Sequence, residues 1–302
     1  MSQKFFEKKN NDNLLVFIKN FNPDIIIISQ GNNIASLDYL KLLLNNNFIY
    51  CTITHLVAEV HWLYLNNESF LELRTVYEKS LKNFFVSEAV MKLHYQMLCQ
   101  TFNNSEIIYN PWNEDSEQLE YPTVQNGYKI AFVGRLECFH KGLDILLKVI
   151  SEKKWQNRDI SINIYGDGPH LNWIKQTIIS LKITNVYLKG FTANIKDIWK
   201  DNHILILPSR MEGQSLSLIE ALMFNRTAIV TNVGGAAEII ENNVTGFIAD
   251  YPDVLFLDKT LEIAWSKRSN WEQMGKDGKE KITKIFPQDV IEYFNNKIKE
   301  LL

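Results

Sequence analysis

Cysteine is scarce. Cys51, Cys99 and Cys138 are the three in 302 residues; they are odd in number, far apart and form no Cys-x-x-Cys pair. That excludes a disulfide framework and a zinc knuckle, and it fits a reducing compartment. Long apolar runs are missing as well. No stretch approaches the roughly 18 residues of a membrane span, and the opening MSQKFFEKKNNDNLLVFIKN lacks the continuous apolar segment of a secretory leader. A cytoplasmic protein is expected. Net charge is only −3, with Lys and Arg scattered along the chain, so there is no long-range field for nucleic acid. Glycine is nearly absent from the first part: Gly31 alone precedes Gly127, and the remainder of the 13 lie between Gly127 and Gly278. A phosphate site needs main-chain N–H groups that a ligand can approach closely, so it belongs in the second half.

What is present is an ordinary globular composition, 46% apolar and 22% charged, in a chain long enough for two domains at roughly 150 residues each. In the first part, PDIIIISQG (Pro23 to Gly31), FIYCTITH, NFFVS (Asn83 to Ser87) and EIIYN (Glu106 to Asn110) are strand candidates. Helical stretches separate them, around Leu37 to Leu44, around Phe70 to Lys82 and in EAVMKLHYQMLC. The polar stretch WNEDSEQLEYPTVQNG, with Pro122 and Gly127, is the natural linker. The second part alternates more regularly. YKIAFV, SINIYG, NVYLKG, HILILPS and TAIVT are strands between helical segments, which predicts a doubly wound parallel sheet. From Phe256 onward three helices are expected, with Pro287 starting the last, PQDVIEYFNNKIKELL.

In such a sheet ligands sit beyond the carboxyl ends of the strands, so the informative residues follow each strand. In GRLECFHKGLD, Gly134 ends a strand, Arg135 is next to it and Lys141 precedes a helix start. Taken singly, an Arg and a Lys are more often solvated surface cations; at a strand-end turn both could reach one diphosphate. GDGPH (Gly166 to His170) is explained by a tight turn into a helix, and a lone Gly-x-Gly is weak evidence for a nucleotide. His140 and His170 are expected as surface or turn residues. In SRMEGQSLSLIEAL (Ser209 to Leu222), Glu212 and Glu220 flank a loop and a helix start. Ser217 and Glu220 fit a capping box, and Asn225 suits the left-handed position after the helix. The same segment makes an anion site, with the amides of Gln214, Ser215 and Leu216 at a helix start. Carboxylates on either side could accept hydrogen bonds from the hydroxyls of a sugar or a ribose. VGGAAEII (Val233 to Ile240) puts paired glycines at another strand end.

In order and spacing, GRL…KGLD, YGDGP, LKGF, LPSRMEGQSLSLIEAL, TNVGGAAEII and VTGFIAD resemble the donor domain of retaining glycosyltransferase family 4. The resemblance covers Tyr128 to Asp250, and VSEAV with IIYNPW (Val86 to Trp112) is similar to the end of that family's acceptor domain. It implies the α/β architecture called GT-B: two Rossmann-like doubly wound domains facing a cleft. Residues 1–120 would be a shortened acceptor-side domain, 121–285 the nucleotide-sugar donor domain, and 286–302 a helix packing back on the first.

The resemblance also assigns roles. Arg135 and Lys141 would neutralise a diphosphate, Glu212 would contact the transferred sugar, and Gly213 with the Gln214, Ser215 and Leu216 amides would lie along sugar and phosphates. Glu220 would hold the ribose, and the backbone at Gly134, Gly190 and Phe191 would line the nucleotide. His55, with Glu59 and His61 after it, is the loose counterpart of a family histidine on the acceptor side. The implied donor is a nucleoside-diphosphate sugar, with no cofactor and no metal. The acceptor would be a saccharide or a lipid-linked saccharide, which is compatible with peripheral contact at the inner face of a membrane.

The family usually opens with a strand and a Gly-rich loop that have no counterpart here. The first domain therefore reads as incomplete, and a partner chain completing it is an open expectation. The alternative to a working transferase is a nucleotide-sugar-binding remnant or half-enzyme with little activity alone. A nicotinamide dehydrogenase is excluded, because no Gly-x-Gly-x-x-Gly follows any strand.

Overall fold

The β-branched runs become parallel strands, because each is followed by a helix that returns the chain to the same edge. The computed structural model describes residues 13–112, 119–125 and 127–302. Its contacts divide the chain into two units, residues 1–109 with 291–302, and residues 110–290. Of the linker stretch, residues 113–118 and 126 lie outside the described residues, as do residues 1–12 of the opening segment.

The first unit holds a four-stranded sheet in the order β1-β2-β3-β4, with β1 Ile26–Gln30, β2 Tyr50–Thr54, β3 Lys82–Phe85 and β4 Ser105–Ile107. All pairings are parallel. Residues 13–21 are helical (α1), followed by α2 (Leu37–Asn45), α3 (Asn67–Lys79) and α4 (Glu88–Leu98). One face of the sheet packs with these helices around Leu40, Leu73, Tyr77, Phe85 and Leu98. The other face, Cys51, Ile53, Phe84 and Ile108, receives Phe294 and Ile298 of the terminal helix and Leu301 just after it. That helix runs Val290–Lys299 rather than from Pro287, because residues 287–289 are non-helical and the chain turns there before the helix starts.

The second unit holds a six-stranded sheet in the order β10-β9-β8-β5-β6-β7. Its strands are β5 Tyr128–Val133, β6 Ile160–Tyr165, β7 Val186–Gly190, β8 Ile204–Leu207, β9 Thr227–Thr231 and β10 Phe247–Ala249. The chain builds β5, β6 and β7 outward, then returns to lay β8 on the other side of β5. The strand order therefore reverses between β5 and β8. That reversal opens a crevice at the carboxyl ends of those two strands. The helices that matter for it are α5 (Leu143–Ile150), α6 (Leu171–Ser180), α7 (Ile195–Asp201) and α8 (Leu216–Met223), with α9 (Val254–Ser266) and α10 (Trp271–Ile285) behind. α5 is apolar nearly all round and has six of its eight residues buried, as a helix pressed between a sheet and a further helix must be.

A buried guanidinium closes the far end. Arg226 is fully buried and donates to the carbonyls of Trp199, Asn202, Phe224 and Glu120. It ties the described end of the linker to this unit. Burial pulls its pKa down to about 10, so it remains charged at neutral pH. Among the described residues no helix is long and apolar enough to cross a membrane.

Candidate functional site

The strand-end turns of the second unit converge because their backbones touch. Gly166 sits at φ 138° after β6, and a Cβ there would stand 1.9 Å from the carbonyl oxygen of Gly134. Gly134 N–H donates to Tyr165, and Gly166 N–H donates to Gly190 (2.8 Å). The ends of β5, β6 and β7 are thus stitched side by side. Across β5, the single turn Cys138–Lys141 is capped by Glu137, whose carboxylate accepts from the amides of Phe139 and His140. The carbonyl of His140 accepts from Arg210 N–H (2.7 Å), joining that turn to the loop after β8. Gly234, at φ 53°, lies under the same loop, where a Cβ would meet the carbonyl oxygen of Glu212 at 2.2 Å.

This framework sorts the residues singled out in the sequence. Gly134, Arg135 and Phe191 line one cavity of about 330 Å³, together with Tyr165, Gly166, Asp167 and Thr192. Arg135 is exposed and has no ion-pair partner among the described residues. Phe191 is 75% exposed, its ring unpacked at the mouth, and open space surrounds Gly190 at the end of β7. Lys141 and Glu212, 71 positions apart, meet at 2.6 Å. Ser209 Oγ donates to the same Oε1 of Glu212 at 2.8 Å. The Lys141 stem runs beside Gly134, with Cε 3.8 Å from where a Cβ on that glycine would lie. The ion pair therefore stands at the β5–β8 reversal and adjoins the cavity.

Gln214 is held from the side. Its Oε1 accepts from Asn110 N–H (2.8 Å), and its carbonyl accepts from the Asn110 side chain (3.2 Å). The start of α8 differs from expectation: Ser215, not Ser217, is the N-cap, and its side chain caps nothing. Its Oγ lies instead 3.2 Å from Ser217 Oγ. The capping box is therefore absent, and the amides of Ser215 and Leu216 have no partner among the described residues. Asn225 does take the left-handed conformation, at φ 58°.

Without the capping role, Glu220 is left half-buried on α8 with no hydrogen-bond or ion-pair partner among the described residues. Burial pushes its carboxyl up to about 7. It lines neither the cavity at Arg135 nor the small pocket at Glu212. In the first unit, His55 follows β2 and its Nε2 is 3.0 Å from Ser29 Oγ. Glu59 and His61 fall in a six-residue 3-10 segment, Glu59–Tyr64, where His61 Nδ1 accepts from Ala58 N–H (3.3 Å).

Some participants were not legible in the sequence. Arg210 grips Asp144 with both guanidinium nitrogens (2.8 and 2.6 Å) and also donates to Cys138 O. This locks the loop carrying Glu212 to the turn carrying Lys141. Its position next to Ser209 was the only signal. His140 and His170 lie in turns at the surface, as expected, and both face one carboxylate. Both lie within 4 Å of Glu137, and His170 Nδ1 accepts from Cys138 N–H at 2.9 Å. Among the described residues no group of three or more His, Cys, Asp or Glu is placed to hold a metal ion.

Residues 114–281 match the family model described as glycosyl transferases group 1. Among curated proteins, the chain is 31% identical over 127 residues to the UDP-Gal:alpha-D-GlcNAc-diphosphoundecaprenol alpha-1,3-galactosyltransferase of Escherichia coli, covering 41% of this chain and 32% of that protein. It is 28% identical over 126 residues to the poly(ribitol-phosphate) alpha-N-acetylglucosaminyltransferase of Staphylococcus aureus, covering 41% of this chain and 26% of that one. The matched parts thus span less than half the length of these relatives. Among solved structures, Anabaena HepE in complex with UDP superposes with a TM-score of 0.74 at 16% identity, over 91% of this chain and 78% of that one. Sucrose-phosphate synthase of Thermosynechococcus elongatus superposes with a TM-score of 0.79 at 14% identity, over 97% and 77%. The fold, parallel sheets flanked by helices, is that of GT-B glycosyltransferases.

Proposed function

We propose a sugar transfer for this chain, which belongs to the glycosyl transferases group 1 family: a glycosyl group moves from a nucleoside-diphosphate sugar to a hydroxyl of a saccharide or lipid-linked acceptor, with retention of configuration. The observation that carries the reading is the meeting of Lys141 with Glu212 at the strand reversal, next to a cavity that Arg135 and Phe191 share. A nucleoside laid against Phe191 and Gly190 would place its diphosphate at Arg135 and Lys141, and the sugar beyond it at Glu212. Glu220 is assigned to the ribose. The unpartnered amides of Ser215 and Leu216, with Gly213 and Gln214 before them, would face the sugar and its phosphates.

In the reaction the bond from the anomeric carbon to the diphosphate oxygen breaks. The acceptor oxygen bonds to that carbon on the same face, and its proton passes to the departing phosphate oxygen. Charge accumulates on the diphosphate as it leaves, so the two cations stabilise the transition state more than the ground state. Holding donor and acceptor together supplies the rest of the rate. No cofactor or metal enters this scheme. The names of the two relatives specify alpha linkages, which amounts to retention when the sugar leaves an alpha-linked diphosphate. His55, Glu59 and His61 are assigned to the acceptor.

The test is donor consumption and product formation across a panel of nucleoside-diphosphate sugars. Lys141→Ala and Glu212→Ala should each lower turnover by about a hundredfold or more, with the fold intact by circular dichroism. Wild-type rates in both variants would refute the reading. Donors that raise the melting temperature with no turnover by wild type would favour a binding protein without transferase activity.

A further inference from the structure

The two edges of the first sheet are treated differently. β4 is short, and its central Glu106 is braced by Lys82 (2.9 Å) and by Lys297 of the terminal helix (2.7 Å). A charged, three-residue edge of this kind resists adding another strand. Among the described residues β1 has no such guard. Its run Ile25-Ile26-Ile27-Ile28-Ser29 is uncharged, and among the described residues it pairs with β2 on one side only. Ile26 N–H donates to Ile49, and Gln30 O accepts from His55 N–H. By the alternation of a parallel ladder, the N–H and C=O groups of Ile25, Ile27 and Ser29 point away from β2, to the open side.

The flanks of this edge are apolar. Leu14, Phe17 and Phe21 of α1 and Tyr39 of α2 border a groove of about 320 Å³ along Ile25 to Ile28. Phe17 and Phe21 stack at 6.0 Å and are 64% and 71% exposed, with Tyr39 at 43% and Ile27 at 37%. At roughly 200 Å² per aromatic side chain, the three rings present on the order of 350 Å² per chain. A contiguous apolar patch of that size marks an interaction surface.

We infer that β1 is a dimer seam, at which two copies of this chain pair their β1 edges antiparallel about Ile27 and join the two sheets into one. The geometry is self-complementary. Ile27 lies opposite Ile27 of the second copy and Ile25 opposite Ser29, and all three residues present their backbone groups outward. Charge permits it too. Asp24 is the only charged residue from Pro23 to Gln30. In this register it faces Gln30, and the two Asp24 stand roughly 20 Å apart, well beyond a Debye length of about 8 Å. The rings of two copies, with Ile27 and the paired edges added, approach the roughly 1,200 Å² at which specific interfaces begin.

Light scattering on the whole chain tests this. The expected mass is twice 35.2 kDa, falling toward the single-chain mass on dilution. Ile27→Pro removes a central donor at an edge position where proline is tolerated within one chain. Phe21→Glu puts a charge into the groove border. Each should weaken association at least tenfold while leaving the circular dichroism spectrum and melting temperature of the separated chain unchanged. If Ile27→Pro fails to fold, Phe21→Glu still decides the matter. In a Cys99→Ser background, Ile27→Cys should form a disulfide-linked dimer under mild oxidation, because a hydrogen-bonded antiparallel pair sets Cα atoms about 5.5 Å apart, within disulfide range. Ser29→Cys, whose partner is Ile25, should not. A single-chain mass at every concentration overturns the inference, as does a dimer that both Ile27→Pro and Phe21→Glu leave intact.

Discussion

Glu220 gives the sharpest test of the donor site, because its acidity and its lack of a partner pull in the same direction. The folded chain holds the proton up to about pH 7, whereas an ordinary glutamate releases it near 4.5. Between those values the folded state binds more protons than the unfolded state. Stability must therefore fall as pH rises through that window, by about 3 kcal/mol in total at 1.36 kcal/mol per pH unit. Glu220→Gln keeps the shape and removes the titration. Urea denaturation at a series of pH values should show the wild type losing stability relative to the variant from pH 4.5 to 7, with the variant the more stable by pH 8. Ribose hydroxyls donating to the carboxylate would stabilise its charged form. Nucleoside diphosphate should accordingly bind the wild type more tightly as pH rises from 6 to 8, and the variant should lose most of that dependence. Parallel stability curves for the two proteins would refute the buried, unpartnered carboxyl. A pH-independent affinity ratio would refute its place at the ribose.

Three further outcomes follow from the backbone and the first unit's core. Gly234→Ala forces a Cβ into the carbonyls of Glu212 and Gly213 at a positive φ, so it should cost about 1–3 kcal/mol in urea denaturation and weaken nucleotide binding at least tenfold by calorimetry. Gly190→Ala, with open space around it, should carry only the conformational penalty of about 1–2 kcal/mol. His94 is buried against Tyr77 and Phe85 and its proton affinity is pulled down to about 3 by burial. The unfolded chain takes up that proton near pH 6.5 while the folded chain does not. Stability is thus complete above pH 6.5 and lost as pH falls toward 3, and His94→Phe should flatten that part of the acid-unfolding curve.

What could be read from the sequence divides along a physical line. Alternating β-branched runs and helical spacing are local properties, and they located nine of the strands; β10, Phe247–Ala249, escaped because it holds a single β-branched residue, Ile248. Glycine placement was also legible, since positive φ and close backbone approach are demands of single positions, met at Gly166 and Gly234. The capping box failed for the opposite reason. Ser217 and Glu220 have the right spacing, but the chain enters α8 two residues earlier, at Ser215, under the pull of the loop contacts on either side. Pairing was the least legible. Arg210 with Asp144 and Lys141 with Glu212 join residues 66 and 71 positions apart, and no local rule connects them.

The two kinds of pair differ in what a ligand can do with them. Arg210 is satisfied three times over, by both oxygens of Asp144 and by Cys138 O, so it is part of the frame. Lys141 has one carboxylate oxygen, shared with Ser209, and an ammonium carries three donors. It can keep Glu212 and still donate to a phosphate oxygen, and a mobile point charge costs little to re-aim. The rigid pair thus fixes the distance between two loops, and the incomplete pair remains at their meeting point as the group able to respond to an anion. A chain that needed only stability there would gain from completing Lys141 and neutralising Glu220. That it does neither is the physical argument for a site.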